Sequence, residues 1–466
     1  MSSKSAPFTF VDLFAGIGGF HAALSAFGGE CVYAVEKDPE AAKVYELNWG
    51  MPALGDIVAD TEGEMKVPPH DVLAAGFPCQ PFSKSGFQRG MEETRGTLFF
   101  NICKILEARR PSVVLLENVR NIAGPRHTHE WKVIIRSLRE LGYQVSSQPI
   151  VFSPHLLPPD RGGRPQVRER VFIMGTYVGA DRSHVDVDPA VPHRAVDGWS
   201  PDEWDLDAHL PLQSDKELRR GLTLKLSAAE QTWVDCWNDF VVSLRNAGVG
   251  KLPGFPVWVD EFVHEADLFI EDGTPDWKAN FQRKNAEFYT KHFDVLEEWL
   301  ERWDYLRDFP ASRRKFEWQA QHARSLDETV MHLRPSGLRA KRATYVPALV
   351  AITQTSILGN RRRRLSPREV ARLQGLPEWF DFGDQPEAAS YKQAGNGVNV
   401  GAAYHVFREH VLANVNAVKS SSRQLANAVL GSLQSPDDVM ETYAGHAPAA
   451  FSRSRATGRV AAEVAG

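Results

Sequence analysis

The chain has 466 residues, of which 43% are hydrophobic and 24% charged, a composition typical of a globular protein with room for two domains. It has no run of 18 apolar residues and begins with a short polar stretch, so neither a membrane span nor a signal peptide is expected. The four cysteines are scattered without a Cys-x-x-Cys pair, which argues against a disulfide framework and a thiolate zinc site. A reducing compartment, the cytoplasm, is therefore expected.

The net charge of −5 hides a segregation of charge along the chain. Between Arg334 and Arg372 there are ten Lys or Arg residues and one acid, and the run Arg361–Arg364 lies within this stretch. A local basic stripe can bind phosphates although the whole protein is acidic. The alternative is a solvated charged face of the protein.

In chain order, strand and helix patterns alternate over the first 178 residues. The predicted strands are 8–14, 31–35, 71–75, 113–116, 145–152 and 171–175. The predicted helices are 21–27, 39–45, 98–108 and 130–141. Strands that alternate with helices predict an open, mostly parallel α/β sheet.

The composition changes after residue 178, and nine of the twelve tryptophans lie between Trp199 and Trp318. We expect these rings to pack in a core, because large aromatic side chains are mostly buried. Capping boxes at Ser227 and Ser366 predict two helices, and a last helix is predicted from Val400. The predicted division is 1–178 for the catalytic and cofactor domain, 179–392 for a second domain that includes the basic helix region 361–377, 393–415 for a return to the first domain, and 416–466 for a mobile tail.

A glycine-rich turn follows the first strand, in the sequence from Asp12 to Phe20. Such glycines let the backbone approach a ligand, although tight packing of helix on strand explains them nearly as well. Glu36 comes about twenty residues later, where an acid can bind ribose hydroxyls, and Asp56 lies where a further strand, after Gly55, is expected to end. No Gly-x-Gly-x-x-Gly is present, so an adenosine ligand without a pyrophosphate, such as S-adenosylmethionine, fits better than a dinucleotide.

Cys79 lies between two prolines, directly after the apolar strand that ends near Ala75. A thiol held by rigid backbone at a strand end is placed like a nucleophile, and the alternative is a buried cysteine in a turn. Glu117 follows the next buried strand and would lie at the same sheet edge, unless it is only a helix cap or a loop ion pair. By period two, Arg168 and Arg170 would share one strand face, as a site for oxygen acceptors or as an ion-pair ladder.

Taken in order, these segments resemble the DNA (cytosine-5)-methyltransferases. The matching blocks are residues 12–20, 76–83, 117–119, the Gln166-x-Arg168-x-Arg170 motif, 364–377 and 393–398. The resemblance covers residues 8–178 and about 361–412. Residues 180–345 match no named pattern, and in that family this interval holds the target recognition domain.

The resemblance implies a fold, a cofactor and roles for individual residues. The fold would be an S-adenosylmethionine-dependent, Rossmann-like large domain with a smaller target recognition domain. Cys79 would attack carbon 6 of a flipped cytosine, Glu117 would contact ring nitrogen 3, and Arg168 would lie near the ring carbonyl. The remaining implied residues are Arg170 and Gln166 in the catalytic set; Phe14, Ala15, Gly16, Gly18, Gly19, Glu36, Asp56, Ile57, Pro78 and Asn396 at the cofactor; and Gln80, Ser83, Ser85, Arg95 and Arg361, Arg362, Arg363 and Arg364 at DNA.

The expected function is methylation of carbon 5 of a cytosine in double-stranded DNA, with S-adenosylmethionine as cofactor and no metal. The segment 80–96 is expected to close over DNA, with an ordinary surface loop as the alternative. An RNA methyltransferase on the same scaffold and a catalytically silent DNA-binding module remain alternatives. The resemblance further implies a bacterial, monomeric enzyme with a possible cognate restriction endonuclease.

Overall fold

A computed structural model describes residues 6–78, 97–214, 216–218, 224–349 and 355–443. The predicted nucleophile Cys79 and the predicted DNA-contacting residues Gln80, Ser83, Ser85 and Arg95 lie outside the described residues.

Fifteen strands are described within these ranges. In chain order they are β1 Thr9–Leu13, β2 Glu30–Val35, β3 Val72–Gly76, β4 Val113–Val119, β5 Tyr143–Val145, β6 Ile150–Phe152, β7 Gln166–Val167, β8 Arg170–Tyr177, β9 Val257–Trp258, β10 Lys315–Gln319, β11 Thr329–Arg334, β12 Gly337–Arg342, β13 Val346–Pro347, β14 Ile357–Leu358 and β15 Arg363–Arg364.

Sixteen α-helices are described in the same ranges. In chain order they are α1 Gly19–Ser25, α2 Pro39–Trp49, α3 Ile57–Thr61, α4 Leu98–Arg109, α5 Thr128–Glu140, α6 Ala180–Ser183, α7 Leu206–His209, α8 Ala228–Asn246, α9 Asp276–Lys291, α10 Phe293–Arg302, α11 Pro367–Leu373, α12 Glu387–Asn396, α13 Val400–Ala413, α14 Val415–Ser421, α15 Arg423–Leu430 and α16 Asp437–Thr442.

The large sheet has the strand order β2-β1-β3-β4-β8-β5, and β6 also pairs with β8. Strands β1 to β4 are parallel to one another, and β8 runs antiparallel to β4. The further strand expected to end near Asp56 is reduced to one parallel bridge between Glu36 and Leu54. The single strand predicted over 145–152 is wrong, because β5 and β6 pair with β8 separately on either side of a break.

Alternate residues of the central strands enter cores on opposite faces of the sheet, as period-two alternation requires. Val72 of β3 belongs to the same core as Phe20 of α1, while Leu73 belongs to the core that contains Ile102 of α4. The sheet is thus covered by helices on both faces. This arrangement buries the strands and directs the carboxyl ends of β1 to β4 to one edge.

A second core lies between residues 234 and 357 and packs α8 and α10 on a six-stranded sheet. The expectation that the tryptophans pack in a core is confirmed for Trp237, Trp299 and Trp318 among others. The second core covers a shorter part of the chain than the predicted second domain, 179–392. Leu206 and Val370 belong to the core of the large sheet, because α7 and α11 turn their apolar faces to it.

The tail predicted to be mobile from residue 416 is ordered as helices up to residue 443, so that prediction is wrong for this segment. Leu425 and Val429 of α15 are fully buried in the core of the large sheet. Near α16, the Nε1 of Trp379 donates to the carbonyl of Met440 (2.8 Å). Most residues of the tail are small or polar, which led to the prediction of mobility. The few apolar residues, spaced three or four apart, are enough to dock these helices on the core.

We expect Leu425→Ala to lower the free energy of unfolding by about 2–5 kcal/mol, because it leaves a cavity in the core. The matched control is Leu430→Ala in the same helix, where the side chain is 47% exposed, and we expect it to change stability by less than about 0.5 kcal/mol. Urea denaturation of both variants measures the difference. Equal stabilities would show that α15 does not dock on the core.

Candidate functional site

The glycines after β1 have two different physical roles. A Cβ on Gly18 would lie 2.0 Å from Nε1 of Trp49, and a Cβ on Gly19 would lie 2.4 Å from the carbonyl oxygen of Val398. Tight packing therefore explains these two glycines. Gly16 has a φ of +55°, and a Cβ there would meet no atom within 4 Å, so this glycine leaves open space at the carboxyl end of β1.

Glu36 fixes the loop that contains Gly16. Its Oε2 accepts a hydrogen bond from the backbone N–H of Gly16 and its Oε1 accepts one from the N–H of Asp38, both at 2.8 Å. Each carboxylate oxygen keeps further acceptor capacity. The side chain is partly buried and lies at the end of β2, so a ribose hydroxyl can approach it beside Gly16.

The other predicted cofactor positions differ in their local environments. Asp56 caps α3 by accepting from the N–H of Val58 (3.0 Å), and this hydrogen bond, together with Lys37, lowers the pKa of its carboxyl. Phe14 has a left-handed backbone with a φ of 56°. For the remaining positions the structure gives the following exposures: Ala15 and Ile57 are buried, and Pro78 and Asn396 are exposed.

Glu117 lies on β4 directly beside Gly76 of β3, the last strand residue before the predicted nucleophile segment. Its Oε1 is 3.0 Å from Nε of Arg170, and the residue is 8% exposed. Burial raises the pKa of the Glu117 carboxyl, although the charges of Arg170 and Arg168 act in the opposite direction. A carboxyl in this environment takes up a proton more readily than an exposed one.

Asn118 is a positioning residue that the sequence reasoning did not single out. Its Nδ2 donates to the carbonyl of Phe77 at 2.8 Å, and the residue is buried. This bond ties the end of β4 to the turn that leads to residue 79. The signal available in the sequence is an amide side chain directly after the strand-end acid.

Arg168 and Arg170 do not share a strand face as predicted, because Arg168 lies in a break between β7 and β8. The guanidinium of Arg168 is buried and donates to the carbonyls of Leu349 (3.0 Å), Gly395 (2.8 Å) and Gly397 (2.6 Å). Burial lowers its pKa to about 9. The N–H groups of Arg168 that were predicted to bind the cytosine carbonyl are therefore already bonded to backbone carbonyls. Arg170, in contrast, lies beside Glu117.

Gln166 is fully buried next to this cluster. Its strand, β7, pairs in parallel with β13, so that Gln166 lies opposite Val346. Within the described ranges, neither Oε1 nor Nε2 of its amide has a hydrogen-bond partner.

Within the run Arg361–Arg364, which was predicted to bind DNA, three of the four arginines bond to acids of this chain. Arg362 bonds to Asp235 and Asp327, and Arg364 bonds to Glu230. Arg363 makes a buried two-pronged pair with Glu369 at 2.8 and 2.9 Å. The charge of each of these guanidiniums is therefore compensated by an acid of this chain, most completely in the buried Arg363–Glu369 pair, which leaves them less available to phosphates. In the predicted run, Arg361 is the exposed member.

The family model for C-5 cytosine-specific DNA methylase matches residues 8–411. The chain belongs to this family. Type II methyltransferase M.AluI of Cellulosimicrobium cellulans is 46% identical over 506 aligned positions, which cover 92% of this chain and 97% of that protein. Type II methyltransferase M.HhaI of Haemophilus parahaemolyticus is 44% identical over 165 positions, 35% of this chain and 48% of that protein. The solved structure of S. pombe Dnmt2 methyltransferase has a TM-score of 0.43 at 16% identity, covering 89% of this chain and 99% of that one.

Membership of this family confirms the predicted α/β methyltransferase fold and the predicted activity, methylation of DNA cytosine at carbon 5. The family is S-adenosylmethionine-dependent. In the described part of this methyltransferase, no helix is long and apolar enough to cross a membrane. The same ranges contain no group of three or more His, Cys, Asp or Glu side chains arranged to hold a metal ion.

We expect Arg168→Lys to lower the free energy of unfolding by about 3 kcal/mol, because lysine cannot satisfy three separate buried carbonyls. The control is Arg126→Lys at an exposed position, which should change stability by less than about 0.5 kcal/mol. Urea denaturation compares the two proteins. If Arg168→Lys unfolds at the wild-type urea concentration, the carbonyl contacts of Arg168 contribute nothing to stability.

Proposed function

We propose that Cys79 and Glu117 carry out the methylation together, through a transient covalent bond between the Cys79 sulfur and carbon 6 of a flipped cytosine. The observation that carries this proposal is the enclosed carboxyl of Glu117 beside Gly76, three residues before Cys79 in the chain. The sheet edge thus brings a protonatable acid to the segment that carries the thiol.

The need for both groups follows from the chemistry of the base. Carbon 5 of cytosine is a poor nucleophile until a thiolate adds to carbon 6 and converts the ring into an enamine. The charge that develops on the ring during addition is relieved by a proton or a strong hydrogen bond at nitrogen 3. The raised pKa of Glu117 favours the protonated form that can supply it. A base later removes the proton at carbon 5, and the thiolate leaves carbon 6.

We assign the contact with the ring carbonyl to Arg170 instead of Arg168. The Nε of Arg170 already bonds to Glu117, so a base that contacts Glu117 also comes within reach of this guanidinium. A charge-assisted hydrogen bond to the carbonyl would hold the ring in register with the thiol. Arg168, bound to three backbone carbonyls, would act as a positioning residue behind it.

The open edge beside Gly16 and Glu36 fits S-adenosylmethionine. The space in front of Gly16 is where a side chain would otherwise stand, and Glu36 offers carboxylate oxygens to ribose hydroxyls. Phe14, Asp56 and Asn396 are proposed to complete the cofactor contacts. The bound cofactor supplies an electrophilic methyl group on a sulfonium. The residues of this chain orient it and keep the edge of the sheet free for it.

The substrate must leave the duplex before Cys79 can reach it, because a stacked base exposes no face to a nucleophile. We propose that the second core, residues 234–357, supplies the surface that reads the surrounding DNA. We further propose a monomer that acts in the bacterial cytoplasm beside a cognate endonuclease. The similarity to a named Type II methyltransferase supports this setting.

The covalent step is tested with DNA that contains 5-fluorocytosine. Fluorine at carbon 5 cannot leave as a proton does, so the adduct should persist as a protein–DNA band that survives denaturing electrophoresis. We expect wild type to form the band in the presence of S-adenosylmethionine and Cys79→Ser to lose it, together with methyl transfer. Cys31→Ser is the control and should keep both. A band from Cys79→Ser would overturn the assignment.

Glu117→Gln tests the acid. The amide stays neutral at every pH and cannot transfer a proton, so we expect kcat to fall by about 10²–10⁴-fold, the usual contribution of a general acid. In wild type, kcat should fall as pH rises through the raised pKa of Glu117, and this limb should be missing in the variant. Methyl transfer to DNA across the pH range measures both. An unchanged limb in the variant would assign the titration to another group.

The same pKa shift has a consequence for stability. Glu117 has a higher pKa in the folded than in the unfolded protein, so its contribution is complete below the unfolded pKa and is lost as pH rises through the folded pKa. We therefore expect the melting temperature of wild type to fall relative to that of Glu117→Gln as pH rises through that window. Thermal unfolding at matched pH values measures this difference. A constant difference would contradict the shift.

A further inference from the structure

The sheet of the second core has two chemically different faces. On β11 and β12, Met331 and Ala340 lie opposite each other and pack into the second core. Val330 and its β14 partner Leu358 belong instead to the core of the large sheet. Because side chains alternate along a strand, every second residue of this hairpin is turned toward the large domain.

Cations occupy that second face. Lys341 lies opposite Val330, His332 lies opposite Arg339, and Arg334 follows His332 by two residues on the same strand. All four polar residues are partly buried, so their charges are partly removed from water. Partial burial of like charges costs free energy unless an anion lies near them.

The protein supplies one carboxylate for this group. Glu317 of β10 bonds to Arg339 at 2.5 Å. Among the described residues, no acid lies within salt-bridge distance of Arg334 or Lys341, and Lys341 lies over the ring of Tyr345 at 4.7 Å. This face therefore differs from the run Arg362–Arg364, in which every guanidinium has an internal acid.

The pKa shifts of Lys341 and His332 agree with an excess of positive charge on this face. Burial and then the cations Arg339 and Arg334 lower the pKa of Lys341. Burial, followed by Arg334, Lys341 and Arg339 among its charged neighbours, lowers the pKa of His332 to about 3. His332 is thus neutral at pH 7, with Nε2 at 2.7 Å from the Ser356 hydroxyl, and adds no charge of its own.

Side-chain contacts connect this face to the catalytic edge through three intermediate residues. Tyr345, under Lys341, lies 5.4 Å from the ring of His155, whose Nδ1 is 2.8 Å from the Ser153 hydroxyl. The same hydroxyl accepts from the backbone N–H of Arg168. One short series of contacts therefore connects the cations to the strand break that places Arg168 and Arg170.

We propose that Arg334 and Lys341 form a phosphate-binding face that holds the backbone of duplex DNA beside the catalytic edge, while Arg339 remains paired with Glu317. Backbone phosphates would provide the anions that the face lacks and would set the register of the duplex without reading its sequence. The proposal rests on the proposed function in one respect, that the flipped base is delivered to the edge at Glu117.

The test is the double variant Arg334→Ala/Lys341→Ala, assayed with a fluorescent 30-base-pair duplex of mixed sequence. We expect the Kd for DNA to rise at least tenfold. The negative slope of log K against log salt should become shallower by about 2, because each lost phosphate contact removes about 0.9 from its magnitude. The charge-matched control is Lys278→Ala/Arg283→Ala on α9. It also removes one Lys and one Arg, but from exposed positions on a helix that packs on the second core. The control should keep the wild-type slope.

Two further measurements separate the outcomes. Arg334→Lys/Lys341→Arg keeps the charges and should keep the slope, which distinguishes lost phosphate contacts from a disturbed fold. S-adenosylmethionine binding by calorimetry should be unchanged in every variant. A wild-type slope in the alanine variant, or an equal loss in the control, would overturn the proposed face. If wild type forms no adduct with DNA that contains 5-fluorocytosine, the covalent mechanism is overturned, and the DNA-binding result is unaffected.

Discussion

The arrangement of this methyltransferase depends on one buried cation that has no carboxylate partner. Arg168 is bound by the carbonyls of Gly395 at the end of α12, Gly397 in the turn before α13, and Leu349 after β13. A guanidinium out of water is costly unless hydrogen bonds compensate its charge, and three of these come from the carbonyls, although Nε has no partner among the described residues. The three bonds hold these segments together as long as the charge stays buried. The end of α12, the break between β7 and β8 and the segment after β13 thus share one junction.

The basic residues of this chain differ in whether an acid of the same chain compensates their charge. The buried pair Arg363–Glu369 stabilises the capped start of α11, and its guanidinium is thereby lost to any external ligand. Lys341 and Arg334 lie on a neighbouring surface where, among the described residues, neither forms an ion pair, although Glu317 pairs with Arg339 beside them. A cation that lacks an internal counter-ion retains its attraction for phosphate, and this difference separates structural arginines from candidate DNA contacts.

The parallel sheet explains why distant sequence segments form one site. The carboxyl ends of β1, β2, β3 and β4 bring Gly16, Glu36, Gly76 and Glu117 to the same edge. Hydrogen bonds across this edge, such as those of Glu36 to Gly16 and of Asn118 to Phe77, fix the loops that leave it. The antiparallel strand β8 then adds Arg170 from the opposite direction.

Periodicity, helix caps and ordered motifs are local in the chain, and they were enough to predict the α/β fold, most strand and helix positions, the capped helix at Ser366 and the family. Which charges are free could be learned only from the folded chain. Whether Arg168 or Arg170 stands beside Glu117, whether Arg362 faces an acid, and whether Leu425 docks on the core all depend on residues far away in sequence. Burial and counter-ions are properties of packing, and no local pattern encodes them.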